Sequence, residues 1–295
     1  MDVSRWANSR GLTALLVTGA FAAGAYGVHS VLEQTEPEPR RPVTQWRWES
    51  YRTVQLRVPG DWGSTCVVKR EPAYVGRLGA VPDIGCGSRL SDPEVRSPYL
   101  WFASREPVGV QGSGDGWTAE TRLLLGVKVT VFTDDDVLRD SIFGSAQPIV
   151  STDAYGCQPN VPTKKPPLGH ALAAVGAVQS VTICDYRGRQ LFASSRLEGA
   201  RAQAAVDAVL AAPAGRGPDS KEKCTKVSPI GLQLKVDGTA QAAEVAIHYS
   251  GCAGNGASDG TIERRLTRPY LQLLLSGPHR LSGWSGDSGI GLLPR

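Results

Sequence analysis

VQSVTICDYRGRQLFASSRLEGARAQAAVDAVLAAP, residues 178–213, is the stretch from which the fold class is read. Residues 178–186 and 190–195 carry β-branched and aromatic side chains on either side of Arg187-Gly188-Arg189, which predicts two strands joined as a hairpin. Over 200–212, Ala202, Ala205, Val206, Val209 and Leu210 fall on one helical face, and Pro213 ends the helix. Further on, strands over 232–236 and 243–249 turn about Asp237-Gly238. Thr267 then caps a last helix bearing Leu271, Leu274 and Leu275, stopped by Gly277-Pro278. The order ββαββα predicts an α+β domain, an antiparallel sheet with helices packed on one face, over 178–295.

Upstream, a proline-rich stretch with two lysines, 158–177, reads as an interdomain linker. A first α+β domain is expected over 46–157. In 51–58, Val54, Leu56 and Val58 alternate with Thr53, Gln55 and Arg57, a half-buried strand ended by Pro59-Gly60. Strands are also expected over 97–103 and 122–132, the latter broken at Gly126. The Gly- and Pro-rich residues 66–96 read as a long irregular loop. The acidic run Thr133-Asp134-Asp135-Asp136 is read as a helix start, with Thr133 as cap and Leu138, Ile142 and Ala146 following at four-residue spacing. A calcium loop would need alternating ligands and a glycine after them, and the run has neither.

The N-terminus sets the topology. Residues 11–32, GLTALLVTGAFAAGAYGVHSVL, are 22 positions without a charge, a helix of roughly 33 Å, enough to cross a bilayer. Arg5 and Arg10 precede the run while Glu33, Glu36 and Glu38 follow it. The positive-inside rule therefore keeps residues 1–10 cytoplasmic and exposes the remainder outside the cell. The alternative is a signal peptide with Ala20-Phe21-Ala22 or Ala23-Gly24-Ala25 as an A-x-A-like cleavage site, which would make the protein secreted. Residues 33–45, EQTEPEPRRPVTQ, read as a stiff stalk.

The six cysteines, Cys66, Cys86, Cys157, Cys184, Cys224 and Cys252, all follow the span. That is the usage of an exported chain, and the separations favour sequential disulfides: Cys66 to Cys86, Cys157 to Cys184 and Cys224 to Cys252. No C-x-x-C or neighbouring histidine supports a metal centre, and nothing in the sequence calls for a cofactor. With 32 basic against 28 acidic residues and no like-charged block, binding to nucleic acid is not expected.

The strings RWESYRTVQLRVPGDWG (47–63), YVGRLGAVPDIGCG (74–87), KVTVFTDDDVLRDSIFGSAQPI (128–149) and VTICDYRGRQLFASSRL (181–197), with Gly156-Cys157, Cys224 and Ser250-Gly251-Cys252, resemble uncharacterised membrane-anchored or secreted extracytoplasmic proteins of actinobacteria. The likeness covers most of 46–275 and implies an extracytoplasmic location without an activity. Some such proteins look like ectodomains attached to regulators of sigma factors. The tail MDVSRWANSR is too short to be a folded partner-binding domain of that kind.

Three motifs touch on catalysis. Gly256-Ala257-Ser258-Asp259-Gly260 matches G-x-S-x-G, but no helix is expected after it, so it reads as a glycine-rich loop. Gly286-Asp287-Ser288-Gly289 has the form of a serine-protease motif. His170, His248 and His279 lie in linker, strand and loop contexts that do not supply its base. Ser220-Lys221-Glu222-Lys223 fits S-x-x-K in what reads as a solvated charge run. Trp46 and Trp48, two apart on one strand face, are the candidate binding surface, with core filling as the alternative use of the tryptophans. The expectation is a single-pass envelope protein whose non-enzymatic extracytoplasmic region binds a partner protein or wall component. The alternative is an envelope hydrolase with an unrecognised active site.

Overall fold

The structure, a computed structural model, describes residues 45–66, 74–77, 98–161, 170–219, 230–249, 254–279 and 293. All belong to one compact unit, Val43–Arg295. The expected span over 11–32 and nearly all of the stalk lie outside these residues, and among the described ones no helix is long and apolar enough to cross a membrane. The architecture is α+β with antiparallel sheets, as the order of elements predicts.

In the upstream half, β1 (Trp46–Tyr51) and β2 (Val54–Pro59) form a hairpin. Strand β1 begins before the expected strand and takes Tyr51 from it. Arg52 turns the chain with φ 53, and its N–H donates to the Leu191 carbonyl at 2.8 Å. Next come β3 (Trp62–Cys66), β4 (Tyr74–Arg77), β5 (Tyr99–Phe102), β6 (Gly109–Gly112), β7 (Thr118–Leu124) and β8 (Val127–Thr133). They make a sheet in the order β3-β4-β5-β8-β7-β6. The stretch 66–96 therefore contains a strand, β4, where only a loop was expected. The strand expected over 122–132 is two strands of a hairpin, because Leu125 and Gly126 both take positive φ, 50 and 84, the backbone of a tight primed turn.

Helix α1 (Asp136–Gly144) starts where expected, but its cap is Asp135, whose Oδ1 accepts from the Leu138 N–H at 3.0 Å. Thr133 stands two positions earlier and accepts from the Asp135 N–H through Oγ1 at 3.0 Å. A short strand, β9 (Gln147–Pro148), pairs with β2.

The downstream half is a six-stranded sheet in the order β11-β10-β12-β13-β14-β15. Its members are β10 (Val178–Arg187), β11 (Gln190–Glu198), β12 (Ile230–Gly238), β13 (Ala242–His248), β14 (Gly256–Ser258) and β15 (Glu263–Arg264). The helices α2 (Gly199–Leu210) and α3 (Arg268–Leu274) come from the expected segments. Ala202, Ala205, Val206 and Val209 of α2 share a core with Val181, Ile183, Leu234, Val245, Tyr270 and Leu274.

The expected linker 158–177 is knitted into this half at both ends. Pro159 accepts from the Leu191 N–H at 2.9 Å and Val161 donates to Arg189 at 2.9 Å. A 3-10 turn, Leu172–Ala174, follows, with Leu172 and Val175 buried in the downstream core. Residues 162–169 lie outside the described ones. The expected separation into two domains is replaced by shared cores. Phe192 and Ala193 of β11 pack with Val54, Leu56, Val129, Val131 and Ile142 of the upstream half. Ile149 and Cys157 pack with Cys184, Tyr186 and Leu191.

Cys157 and Cys184 form a disulfide, as the spacing predicts. Cys86, Cys224 and Cys252 lie outside the described residues, and Cys66 is described only as a backbone position of β3, so the other two expected bridges lie outside as well.

Two measurements follow from this packing. Replacing Cys157 and Cys184 together by alanine should lower unfolding free energy by about 3 kcal/mol on the loop-entropy scale, read by chemical denaturation, and peptide mapping without reductant should recover this bridge intact from the native chain. At Gly238 an added Cβ would collide with the Val175 backbone. Gly238→Ala should therefore cost about 1–3 kcal/mol, the usual penalty of overpacking.

Candidate functional site

The Trp46 and Trp48 pair does not stand free. Both indoles are half-buried; Trp46 packs against the upstream core, and the Arg57 guanidinium lies 4.8 Å from the Trp48 ring centroid. Position 57 is the cross-strand partner of Trp48, so hairpin register alone brings that cation over the ring. Trp62 is buried, while Trp101 and Trp117 pack with Tyr99 and Phe132 on the second face of the upstream sheet. Among the described residues Trp46, Trp62, Trp101 and Trp117 pack in cores, and Trp48 is half-buried with Arg57 over its ring.

The G-x-S-x-G segment is neither a loop nor an elbow. Gly256–Ser258 is strand β14, and Asp259 then organises a turn. Its Oδ1 accepts from the amides of Thr261 and Ile262 and from the Thr261 hydroxyl, and its Oδ2 accepts from the Leu172 amide at 2.9 Å. Burial pushes the Asp259 carboxyl up, but these donors outweigh it and hold the group below its ordinary value. Gly286-Asp287-Ser288-Gly289 and Ser220-Lys221-Glu222-Lys223 lie outside the described residues. His170 and His248 are exposed.

The titratable groups converge elsewhere, where β1, β10, β11 and the 3-10 turn Gly277–His279 meet. The sequence places His279 in a loop. In the structure its ring is 1% exposed, and Nε2 lies 2.7 Å from the Ser195 hydroxyl of β11. Its Nδ1 faces Oδ2 of Asp185, fully buried on β10, at 3.9 Å. Glu49 of β1 is buried in the same region. Desolvation raises its carboxyl above the ordinary value of 4.5, opposed by Arg47, which pairs with it, and by His279. The Arg187 guanidinium donates to Asp185 Oδ2 at 3.3 Å and stacks over Phe192. Tyr249 closes the cluster; burial, then the charge of Asp185, pushes its phenol well above the ordinary range. Among the described residues, Asp185 Oδ1, His279 Nδ1 and the Tyr249 hydroxyl have no hydrogen-bond partner.

The charges determine how the ring is protonated. A lone pair on Nδ1 would face the Asp185 carboxylate, so the proton of neutral His279 belongs on Nδ1. Nε2 is then the acceptor and the Ser195 hydroxyl the donor. Ser195 itself is half-buried on the outermost strand of its sheet, so it reaches solvent while the groups behind it do not.

A second polar seam lies on the opposite face of β11. Asp153 accepts from the amides of Tyr155 and Cys157 through Oδ1, at 3.0 and 2.7 Å, and from the Ser194 hydroxyl through Oδ2. It holds Cys157 against Cys184, and its charge adds to burial in pushing the Tyr186 phenol up to about 12. Every oxygen of Asp153 is occupied by structural donors, and this seam is architecture. No spacing in the sequence brings Ser195, His279 and Asp185 together, since the serine and the histidine are 84 residues apart.

Glu49 provides a pH test. Its folded carboxyl holds its proton to higher pH than the unfolded chain does, so its stabilising contribution is complete below 4.5 and is lost as pH rises through the folded value. Glu49→Gln cannot ionise. The melting temperature of this variant should gain on that of the native chain as pH climbs above 4.5, because only the native carboxyl can lose its proton there. A constant gap across that range would show that Glu49 ionises without cost.

No protein-family model, curated protein or solved structure matches the chain.

Proposed function

We propose that this is a cell-envelope protein, held by a single N-terminal helix with its tail in the cytoplasm, whose extracytoplasmic region works by binding a partner protein. The Cys157–Cys184 bridge supports the location, because such a bond persists in an oxidising compartment and is reduced in the cytosol. The same body released by cleavage after the apolar segment would perform the same role as a secreted protein.

The observation that carries the binding reading is the outer edge of the upstream sheet. Strand β6 ends the strand order β3-β4-β5-β8-β7-β6 and pairs only with β7 among the described strands. Val108 and Val110 are 59% and 67% exposed there, and Leu123 and Leu125 at the neighbouring end of β7 are 61% and 51% exposed. An unpaired strand edge with Val108 and Val110 on one face and Leu123 of the adjoining strand on the other suits an extended segment of another protein running along that edge. Main-chain hydrogen bonds would supply affinity and the apolar side chains selectivity. A second reading, an envelope hydrolase, is favoured by one observation, the contact between Ser195 and His279.

Photo-crosslinking side chains placed at Val110 and Leu123, in the intact cell, should each trap a protein adduct. The same group at Val150 or Ile262, which are exposed but belong to neither strand of that edge, should trap none. Equal trapping at all four positions overturns the binding surface, and a reporter fused at residue 150 that works only in the cytoplasm overturns the location.

A further inference from the structure

We infer that Ser195, His279 and Asp185 form an acyl-transfer site acting on carboxylic esters. The inference rests on the hydrolase reading and is independent of the binding edge. Its basis is a nucleophile, a base and an orienting acid in the right order of contact and the right order of burial. The Ser195 hydroxyl is 2.7 Å from His279 Nε2, within direct proton-transfer reach. On the far side of the ring, Nδ1 and Asp185 Oδ2 are 3.9 Å apart, and neither Nδ1 nor Asp185 Oδ1 has a hydrogen-bond partner among the described residues. Nδ1 has no partner among the described residues, and Asp185 Oδ2, held by Arg187, faces it across that gap, an arrangement that closes when the ring becomes charged, the moment the base needs its carboxylate.

The surrounding groups fit that role. Every charged group facing the ring is paired or buried against another: Glu49 with Arg47 from β1, and Asp185 with Arg187 from β10. With His279 neutral the cluster sums to zero, and the proton taken from Ser195 places a cation between two buried carboxylates. Tyr249 adds no charge. Ser195 is half-buried in front of a buried base and a buried acid, so an ester would reach the hydroxyl oxygen from the β11 side while water is kept from His279.

The reaction balances without any further reagent than water. Ser195 Oγ bonds to the acyl carbon as its proton passes to Nε2. The bond from the acyl carbon to the leaving oxygen breaks, and that oxygen takes the proton from Nε2 and departs as an alcohol. Water then adds to the acyl carbon and yields a proton to Nε2. The Ser195 Oγ–carbon bond breaks, Oγ recovers that proton, and a carboxylic acid is released.

The test uses the full chain in detergent with a tagged fluorophosphonate, followed by peptide mapping, and with para-nitrophenyl acetate. The expected result is one adduct, on Ser195, absent from Ser195→Ala. Its rate of formation should fall at least tenfold in Asp185→Asn. Melting curves confirm that each variant folds, and an ordinary structural serine would show neither the adduct nor its dependence on Asp185. An adduct at another serine that survives Ser195→Ala overturns this assignment and leaves the hydrolase reading standing. No adduct anywhere on a chain that melts cooperatively overturns both.

Discussion

The main chain of Leu191 carries the structure. Its carbonyl accepts from Arg52 at the tip of the first hairpin, and its amide donates to Pro159 in the strap that precedes the downstream sheet. One residue on the outermost strand thus joins three parts of the chain far apart in sequence. Opposite it, the β10–β11 ladder slips between Asp185 and Tyr186, so that Tyr186 pairs with Leu191 while Asp185 pairs with Ala193. A bulge of this kind adds one residue to one strand and re-aims the side chains beyond it. Tyr186 and Leu191 turn towards the disulfide, Phe192 and Ala193 towards the upstream core, and Ile183 and Leu197 towards α2. A single hairpin feeds all three cores, and the two halves pack as one unit for that reason.

The same bulge governs the polar interior. Asp185 stands at the slip and ends fully buried, where a carboxylate is tolerated only with a compensating cation or donor. Arg187 supplies the cation two positions later on the same strand, and His279 arrives from the other end of the downstream half. Glu49 enters from β1 with Arg47 as its partner. Ser195 and Ser194, adjacent on β11, point to opposite faces, so the strand serves two polar systems at once. Ser194 is committed to the closed cap around Asp153, whose oxygens are all occupied. Ser195 is committed to a cluster that leaves Nδ1 and a carboxylate oxygen without partners among the described residues. A saturated network holds shape, whereas one with unpartnered groups has capacity for a proton.

The β6 edge, proposed as a binding surface, and the polar cluster occupy different parts of the molecule, and their physical demands differ. The β6 edge needs only an unpaired strand and exposed apolar side chains, and its glycines at 109 and 112 leave the backbone open to approach. The cluster needs low solvent access behind one reachable hydroxyl, which the burial of His279 and Asp185 provides. The rigid frame shared by both is the set of cores fed by β10 and β11.

Local pattern determined the α+β class, the β10–β11 and β12–β13 hairpins, α2, α3, the start of α1 and the Cys157–Cys184 pairing. Turn glycines, helical periodicity and cysteine spacing act over a few residues to a few tens of residues and leave their mark in the chain. The single upstream strand expected from Tyr51 failed because Arg52, a residue with no turn signature, is held in the left-handed region by a bond to Leu191, a partner 139 residues away. Trp46 and Trp48 were legible as one strand face. Whether that face was open depended on the core against Trp46 and on Arg57 over Trp48. The meeting of Ser195, His279 and Asp185 was invisible for the same reason. Each sits in an unremarkable local context, and only the packing of a C-terminal turn against the edge of the downstream sheet brings the three side chains within reach of one another.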